Sequence, residues 1–192
     1  MELRDVPSIG FTTSDRPNPR GEIAVKSENL CLGYYKGDEK TRESLQGGFF
    51  LTGDIGEIDA SGKLKMLTRK KDLLEIYLEG KSLFFSPHQV EAVLTKCEKV
   101  ESLLVHGQRD YSFLIVVVVP KFTPSEEKQE ELCKDVLVHF QKLAQQSNLP
   151  VFKVPKAVIL DVEGWNTENG MMLGIAILEK HEEKIRQKMV QL

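Results

Sequence analysis

The sequence predicts an α+β protein made of two parts, on three observations. Residues before Thr68 form short apolar stretches broken by Gly, Pro and Asp, the pattern of a turn-rich β region. Thr68-Arg-Lys-Lys-Asp72 then sets four consecutive charged residues between two apolar runs, which suits an exposed connector. Beyond it the elements lengthen into helical stripes and one unbroken apolar run, Phe113–Val119. The expected division is a β-rich piece over residues 1–68, a charged hinge over 69–72 and a small sheet with packed helices over 73–192.

Each element follows from its residues. Arg16-Pro-Asn-Pro19 is a rigid turn, because each Pro restricts the residue before it. Gly21–Lys26 alternates like a half-buried strand. Thr41–Leu45 is a short polar helix candidate. Gly47–Asp54 reads as a strand with a glycine entrance and a Gly-Asp exit, and Ile55–Leu67 as a hairpin turning at Asp59-Ala-Ser-Gly62. Ser86-Pro87 places an N-cap before a proline at the first helical position. Val90, Val93, Leu94 and Cys97 then make one apolar helix stripe.

Val100–His106 is a strand, Gln108–Tyr111 a turn, and Phe113–Val119 a strand buried on both faces that Pro120 stops. Ser125 caps a helix with an acidic first turn and the stripe Leu132, Val136, Phe140, Leu143. Pro150 and Pro155 bracket a short connection to the strand Lys156–Leu160. Glu163–Gly174 reads as a loop, and Leu178–Leu192 as one charged helix with Leu178, Ile185, Met189 and Leu192 on one side.

Composition narrows the function. In 192 residues, 26 Lys+Arg face 29 Asp+Glu, a net charge of −3, which speaks against a strongly basic nucleic-acid binder. With 41% hydrophobic and 29% charged residues the chain is not disordered on compositional grounds. No apolar stretch approaches the length of a membrane span, and the N-terminus carries acids early with no signal-like apolar region. Cys31, Cys97 and Cys133 are odd in number and far apart, and the four histidines show no ligand spacing. A reducing, cytoplasmic location without metal or disulfides is expected, with peripheral membrane association left open.

No Gly-x-Ser-x-Gly or Gly-x-x-x-x-Gly-Lys-Ser/Thr occurs. Thr52-Gly53-Asp54 ends an apolar strand, where a carboxylate would accept two hydrogen bonds from a diol such as a ribose. As a triplet it reads more simply as a turn in which Asp54 bonds its own backbone. Arg69-Lys70-Lys71-Asp72 would reach phosphate or ribose oxygens, or would be a solvated link. Glu168-Asn169-Gly170 is a turn by composition.

The order of these pieces is more specific than any one of them. Pro19-Arg-Gly-Glu-Ile23, Gly33-Tyr-Tyr-Lys36, Thr41, Thr52-Gly-Asp-Ile-Gly-Glu57, Asp59-x-x-Gly62, Arg69-Lys-Lys-Asp72, Gly80, Ser86-Pro87, Val90-Glu91 and Glu168-Asn-Gly170 follow one another over almost the whole chain. The set resembles the C-terminal third of the adenylate-forming, AMP-binding superfamily. Within it the nearest likeness is to long-chain acyl-CoA synthetases and to the adenylation domain of carboxylic acid reductases. His106-Gly107, Tyr111–Pro120 and Glu168–Ile175 lean toward the reductase-like and bacterial fatty-acid-ligase branch.

The resemblance implies ATP-dependent activation of a fatty acid to an acyl-adenylate, then transfer to a thiol, usually coenzyme A, with magnesium as ATP's counter-ion. It implies that residues 1 to about 68 close a large body, and that a mobile α+β cap rotates about a hinge between the half-reactions. It assigns Asp54 to the ribose hydroxyls, Arg69 to ribose or phosphate, Lys71 to the hinge and Gly80 to the cap loop that swings toward the thiol tunnel.

Three departures accompany it. The family's phosphate loop and acyl pocket would lie upstream of this segment. The family's catalytic lysine falls on Ile177 once Glu168-Asn-Gly170 is aligned, and an isoleucine offers no charge to the reacting phosphate. Lys180, nearly one helical turn on, does not replace it. Thr68, Glu75 and Lys81 stand where the family usually has Asp, Lys and Glu. The expected function is therefore a C-terminal fragment or truncated relative of a fatty-acid–CoA ligase, inactive alone. The alternative is a non-catalytic module docking on a complete ligase or an acyl carrier.

Overall fold

The computed structural model describes residues 1–109, 112–165 and 174–191. The Glu168-Asn169-Gly170 turn, most of the Glu163–Gly174 loop, Asp110, Tyr111 and Leu192 lie outside the described residues. The architecture is mixed α and β, and the chain divides into two compact units, Met1–Leu73 and Leu74–Leu192.

The first unit is an antiparallel sheet of β1 (Glu2–Arg4), β2 (Arg20–Val25), β3 (Leu45–Gln46), β4 (Phe49–Ile58) and β5 (Leu64–Arg69). The long β4 is its spine: β2 pairs along one edge, while β3 and β5 share the other. Gly47-Gly48 is the loop of the β3–β4 hairpin. The β4–β5 turn closes at Gly62 N–H to Asp59 O, 2.9 Å, while Asp59 Oδ1 accepts from Ser61 and Lys63 N–H groups at 2.8 and 3.0 Å. Val6, Phe11 and Ile55 form a small core. Two expectations change here. The strand expected to end at Asp54 continues to Ile58, because a bulge absorbs Gly53 without ending the ladder. Helix α1 spans Asp38–Ser44 rather than Thr41–Leu45, with Asp38 and Glu39 favouring its first turn and Leu45 already extended and paired with Phe50.

The second unit opens with a hairpin, β6 (Leu74–Leu78) and β7 (Lys81–Phe85), that periodicity does not reveal. Helix α2 (Pro87–Leu94) follows, then β8 (Val100–Gly107), β9 (Leu114–Pro120), α3 (Glu126–Gln146), β10 (Pro155–Leu160), α4 (Gly174–Lys180) and α5 (Glu182–Gln191). The sheet order is β10-β9-β8, parallel between β10 and β9 and antiparallel between β9 and β8. Strand β9 is buried on both faces, as its unbroken apolar run requires. Leu114, Val116 and Val118 enter one core with α2 and α3. Ile115 and Val117 enter the other with α4 and α5.

Ser86 and Ser125 do occupy N-cap positions, but neither hydroxyl caps. Their carbonyls serve instead, accepting from Gln89 and Lys128 N–H at 3.3 and 2.9 Å. The expected single C-terminal helix is two, broken at His181, whose ring is drawn to Asp161 (Nε2 to Oδ2, 2.9 Å).

Candidate functional site

The bulge in β4 builds the site. Glu22 pairs with Ile55 and Ala24 with Leu51, so Thr52, Gly53 and Asp54 stand opposite Ile23 alone. Gly53 takes φ +76, a conformation that a β-carbon would strain, and nothing fills the space beside it. The Thr52 hydroxyl oxygen accepts the Asp54 N–H at 3.0 Å. The Gly53 N–H, pushed out of the ladder, is taken by Glu22 Oε1 at 3.1 Å.

Asp54 is therefore a strand residue and not the turn that its triplet suggests. It lies opposite Arg69 in the β4–β5 register, and Arg69 Nε approaches its Oδ1 to 3.2 Å. That is ion-pair distance without hydrogen-bond alignment: Oδ1 is buried and receives no hydrogen bond from the protein. A carboxylate oxygen held out of water with its acceptor capacity unused is suited to a hydroxyl donor.

Gly53 and Arg69, the neighbour and the ion-pair partner of Asp54, line a cavity of ≈ 880 Å³ together with Glu22, Thr52, Lys70 and Lys71. Lys70 Nζ pairs with Glu22 Oε2 at 3.3 Å. Sequence reasoning brought Asp54, Arg69 and Lys71 to one region but gave Glu22 no part of its own. The signal was an acid within an otherwise apolar strand, Gly21-Glu-Ile-Ala-Val25.

The other candidates belong to the second unit. Gly80, φ +81, and Glu79, φ +49, form the two-residue turn between β6 and β7. Ile177 is buried in α4 and belongs to the core shared with Ile115, Val117, Ile159, Ile185 and Met189. Lys180 is engaged by Asp161 at 2.9 Å and Glu163 at 2.9 Å. Burial pushes the Asp161 carboxyl up, but hydrogen bonds from His181 and Lys180 outweigh it and hold the carboxyl below its ordinary range.

No protein-family model matches the chain. It is 35% identical over 189 residues to the peroxisomal long chain acyl-CoA synthetase 7 of Arabidopsis thaliana, covering 90% of this chain and 27% of that one. It is 32% identical over 176 residues to a carboxylic acid reductase of Segniliparus rugosus, covering 89% of this chain and 14% of that one. The solved A domain of the Segniliparus rugosus reductase, in complex with AMP and a co-purified carboxylic acid, superposes with a TM-score of 0.82 at 28% identity. It covers 99% of this chain and 31% of that one.

The chain is homologous to the adenylate-forming enzymes of the AMP-binding superfamily. It spans about a quarter of the length of the acyl-CoA synthetase it matches. The A-PCP didomain of the same reductase, in complex with AMP, gives a TM-score of 0.83 at 28% identity, covering 99% of this chain and 27% of that one. Among the described residues no helix is long and apolar enough to cross a membrane.

Proposed function

We propose that this chain is the C-terminal part of an ATP-dependent acyl-activating ligase, with Asp54 and Arg69 binding the ribose of ATP or AMP. In the reaction a fatty-acid carboxylate attacks the α-phosphate of ATP and pyrophosphate leaves. A thiol, coenzyme A or a carrier's, then attacks the acyl carbonyl and AMP departs. Magnesium accompanies ATP as counter-ion. Asp54 accepts hydrogen bonds from the ribose hydroxyls, and Arg69, its ion-pair partner, faces the same sugar or its phosphate. Residues 69–72 are the hinge, with Lys71 its pivot, and Gly80 leads the loop that swings toward the thiol.

The observation that carries the reading is the buried Oδ1 of Asp54, which takes no hydrogen bond from the protein and lies 3.2 Å from Arg69 Nε. Assaying pyrophosphate release from ATP and a fatty acid tests it, with the chain alone and mixed with the N-terminal body of a similar acyl-CoA synthetase. The expected result is no release alone and release on mixing, lowered about tenfold to a hundredfold by Asp54→Ala, the worth of a charge-assisted hydrogen bond. Release by the chain alone, or indifference to Asp54→Ala, would overturn it.

A second reading is a non-catalytic module that docks on a complete ligase or an acyl carrier. The burial of Ile177 at the aligned lysine position favours it, because a core residue there supplies no cation to the phosphate. Under that reading mixing yields no release, yet the chain co-elutes with the ligase or the carrier.

A further inference from the structure

Glu22 is an acid where the fold has little use for one. Its side chain is only 7% exposed, in a strand whose neighbours Gly21, Ile23 and Ala24 are buried. A carboxylate so withdrawn from water is costly unless charges and donors meet it. Two do. Oε1 accepts the Gly53 N–H at 3.1 Å, and Oε2 meets Lys70 Nζ at 3.3 Å. These two partners are the chain neighbours of Asp54 and Arg69. One carboxylate thus ties the bulge in β4 to the end of β5, the two segments whose side chains approach each other at 3.2 Å.

We infer that Glu22 is a positioning residue: it holds the Gly53 bulge and the Lys70 end together, so that Asp54 stays opposite Arg69 with its Oδ1 free of protein hydrogen bonds. This rests on the reading of Asp54 and Arg69 as ribose-binding residues. The bulge takes Gly53 out of the β2–β4 register, and its N–H goes to Glu22 instead. Without Glu22 that donor turns to water, the bulge relaxes, and Asp54 moves relative to Arg69. Lys70 ion-pairs with the second oxygen of the same carboxylate, so the tether needs both ends.

The test compares the wild-type chain with Glu22→Ala, Glu22→Gln and Lys70→Gln. Amide hydrogen exchange at Gly53, thermal midpoint and AMP affinity are measured on each. Glu22→Ala removes both ties and should raise Gly53 exchange about tenfold or more and weaken AMP binding about tenfold, the worth of one hydrogen bond to a charged group. Glu22→Gln keeps an acceptor for Gly53, so its exchange should stay within about threefold of wild type, with AMP affinity between wild type and Glu22→Ala. Lys70→Gln should leave Gly53 protected and still weaken AMP binding.

Unchanged Gly53 exchange in Glu22→Ala overturns the inference. So does an equal loss of AMP affinity in Glu22→Gln and Glu22→Ala at matched thermal midpoints, because simple loss of packing would give that. Should Glu22→Ala not fold, the other two variants decide: wild-type AMP affinity in both overturns it. If the wild-type chain takes up no AMP while Gly53 responds as described, the ribose reading falls and Glu22 stands as the holder of the bulge.

Discussion

Ile177 and Asp161 are the residues at which charge and burial decide the outcome. Ile177 is 6% exposed and packs among aliphatic side chains, so Ile177→Lys forces an ammonium into that core or the helix away from it. The expected cost is about 2–4 kcal/mol, read as a lowered midpoint in denaturant, with Ile177→Val costing about 1 kcal/mol. A Lys variant as stable as wild type would place this side chain outside the core. Asp161 is a second case. Its carboxyl, fully buried and bonded by His181 and Lys180, titrates below the ordinary value of 3.8 when folded. Its stabilisation is therefore present above the unfolded pKa and is lost as pH falls through the folded one. Asp161→Asn should lower stability at neutral pH yet flatten the loss between about pH 5 and about pH 3, measured by thermal melts across that range. A variant whose acid limb parallels wild type would separate Asp161 from the acid response.

The β6–β7 hairpin shows how an element escapes pattern reading. Its turn, Glu79-Gly80, has both residues at positive φ, the type I′ form, but only the second is a residue that adopts it readily. Asn-Gly would have announced a hairpin; Glu-Gly does not, and Lys81 to Phe85 alternates only weakly. Glu79→Asn should raise stability by about 0.5–1 kcal/mol, and Gly80→Ala should lower it by about 1 kcal/mol or more, both read from denaturant midpoints. A destabilising Glu79→Asn would mean that the turn takes another form. The same contrast runs through the site. The unbroken apolar run of β9 was legible because burial on both faces leaves no polar position in it, and the stripe of α3 because burial on one helix face imposes a period. The Asp59 turn was legible because its chemistry is local. The bulge at Gly53 was not, because it depends on Glu22, thirty-one positions away, accepting one N–H. Asp54 read alone looked like a turn for the same reason: its strand partner Arg69 is set by register, which no short motif encodes. His181, between α4 and α5, likewise turns its ring to Asp161, twenty positions away, a contact that no helical stripe announces.

At the scale of the whole chain the two units differ in how much core each owns. Leu74–Leu192 sandwiches its three-stranded sheet between two apolar clusters, one reaching α2 and α3, the other α4 and α5. Met1–Leu73 has a buried cluster of three residues, Val6, Phe11 and Ile55. Burial of apolar area is the dominant favourable contribution to folding, so the second unit has the means to fold alone and the first is marginal. Near the end of the first unit Arg69, Lys70 and Lys71 are three consecutive exposed tryptic sites. Limited trypsin should cut here before it cuts elsewhere and leave the 74–192 piece intact, because cleavage follows exposed backbone that opens locally. Trp165 is the chain's one tryptophan and packs against the second unit's core, so its fluorescence follows that unit by itself. Expressed alone, residues 74–192 should melt in one cooperative step by Trp165 fluorescence, within a few degrees of the same signal in the full chain. Residues 1–73 alone should show a broad, weak transition by circular dichroism. If 74–192 loses its cooperative step when separated, its stability draws on the first unit, and the sheet with its two clusters is not the self-sufficient core that its buried side chains describe.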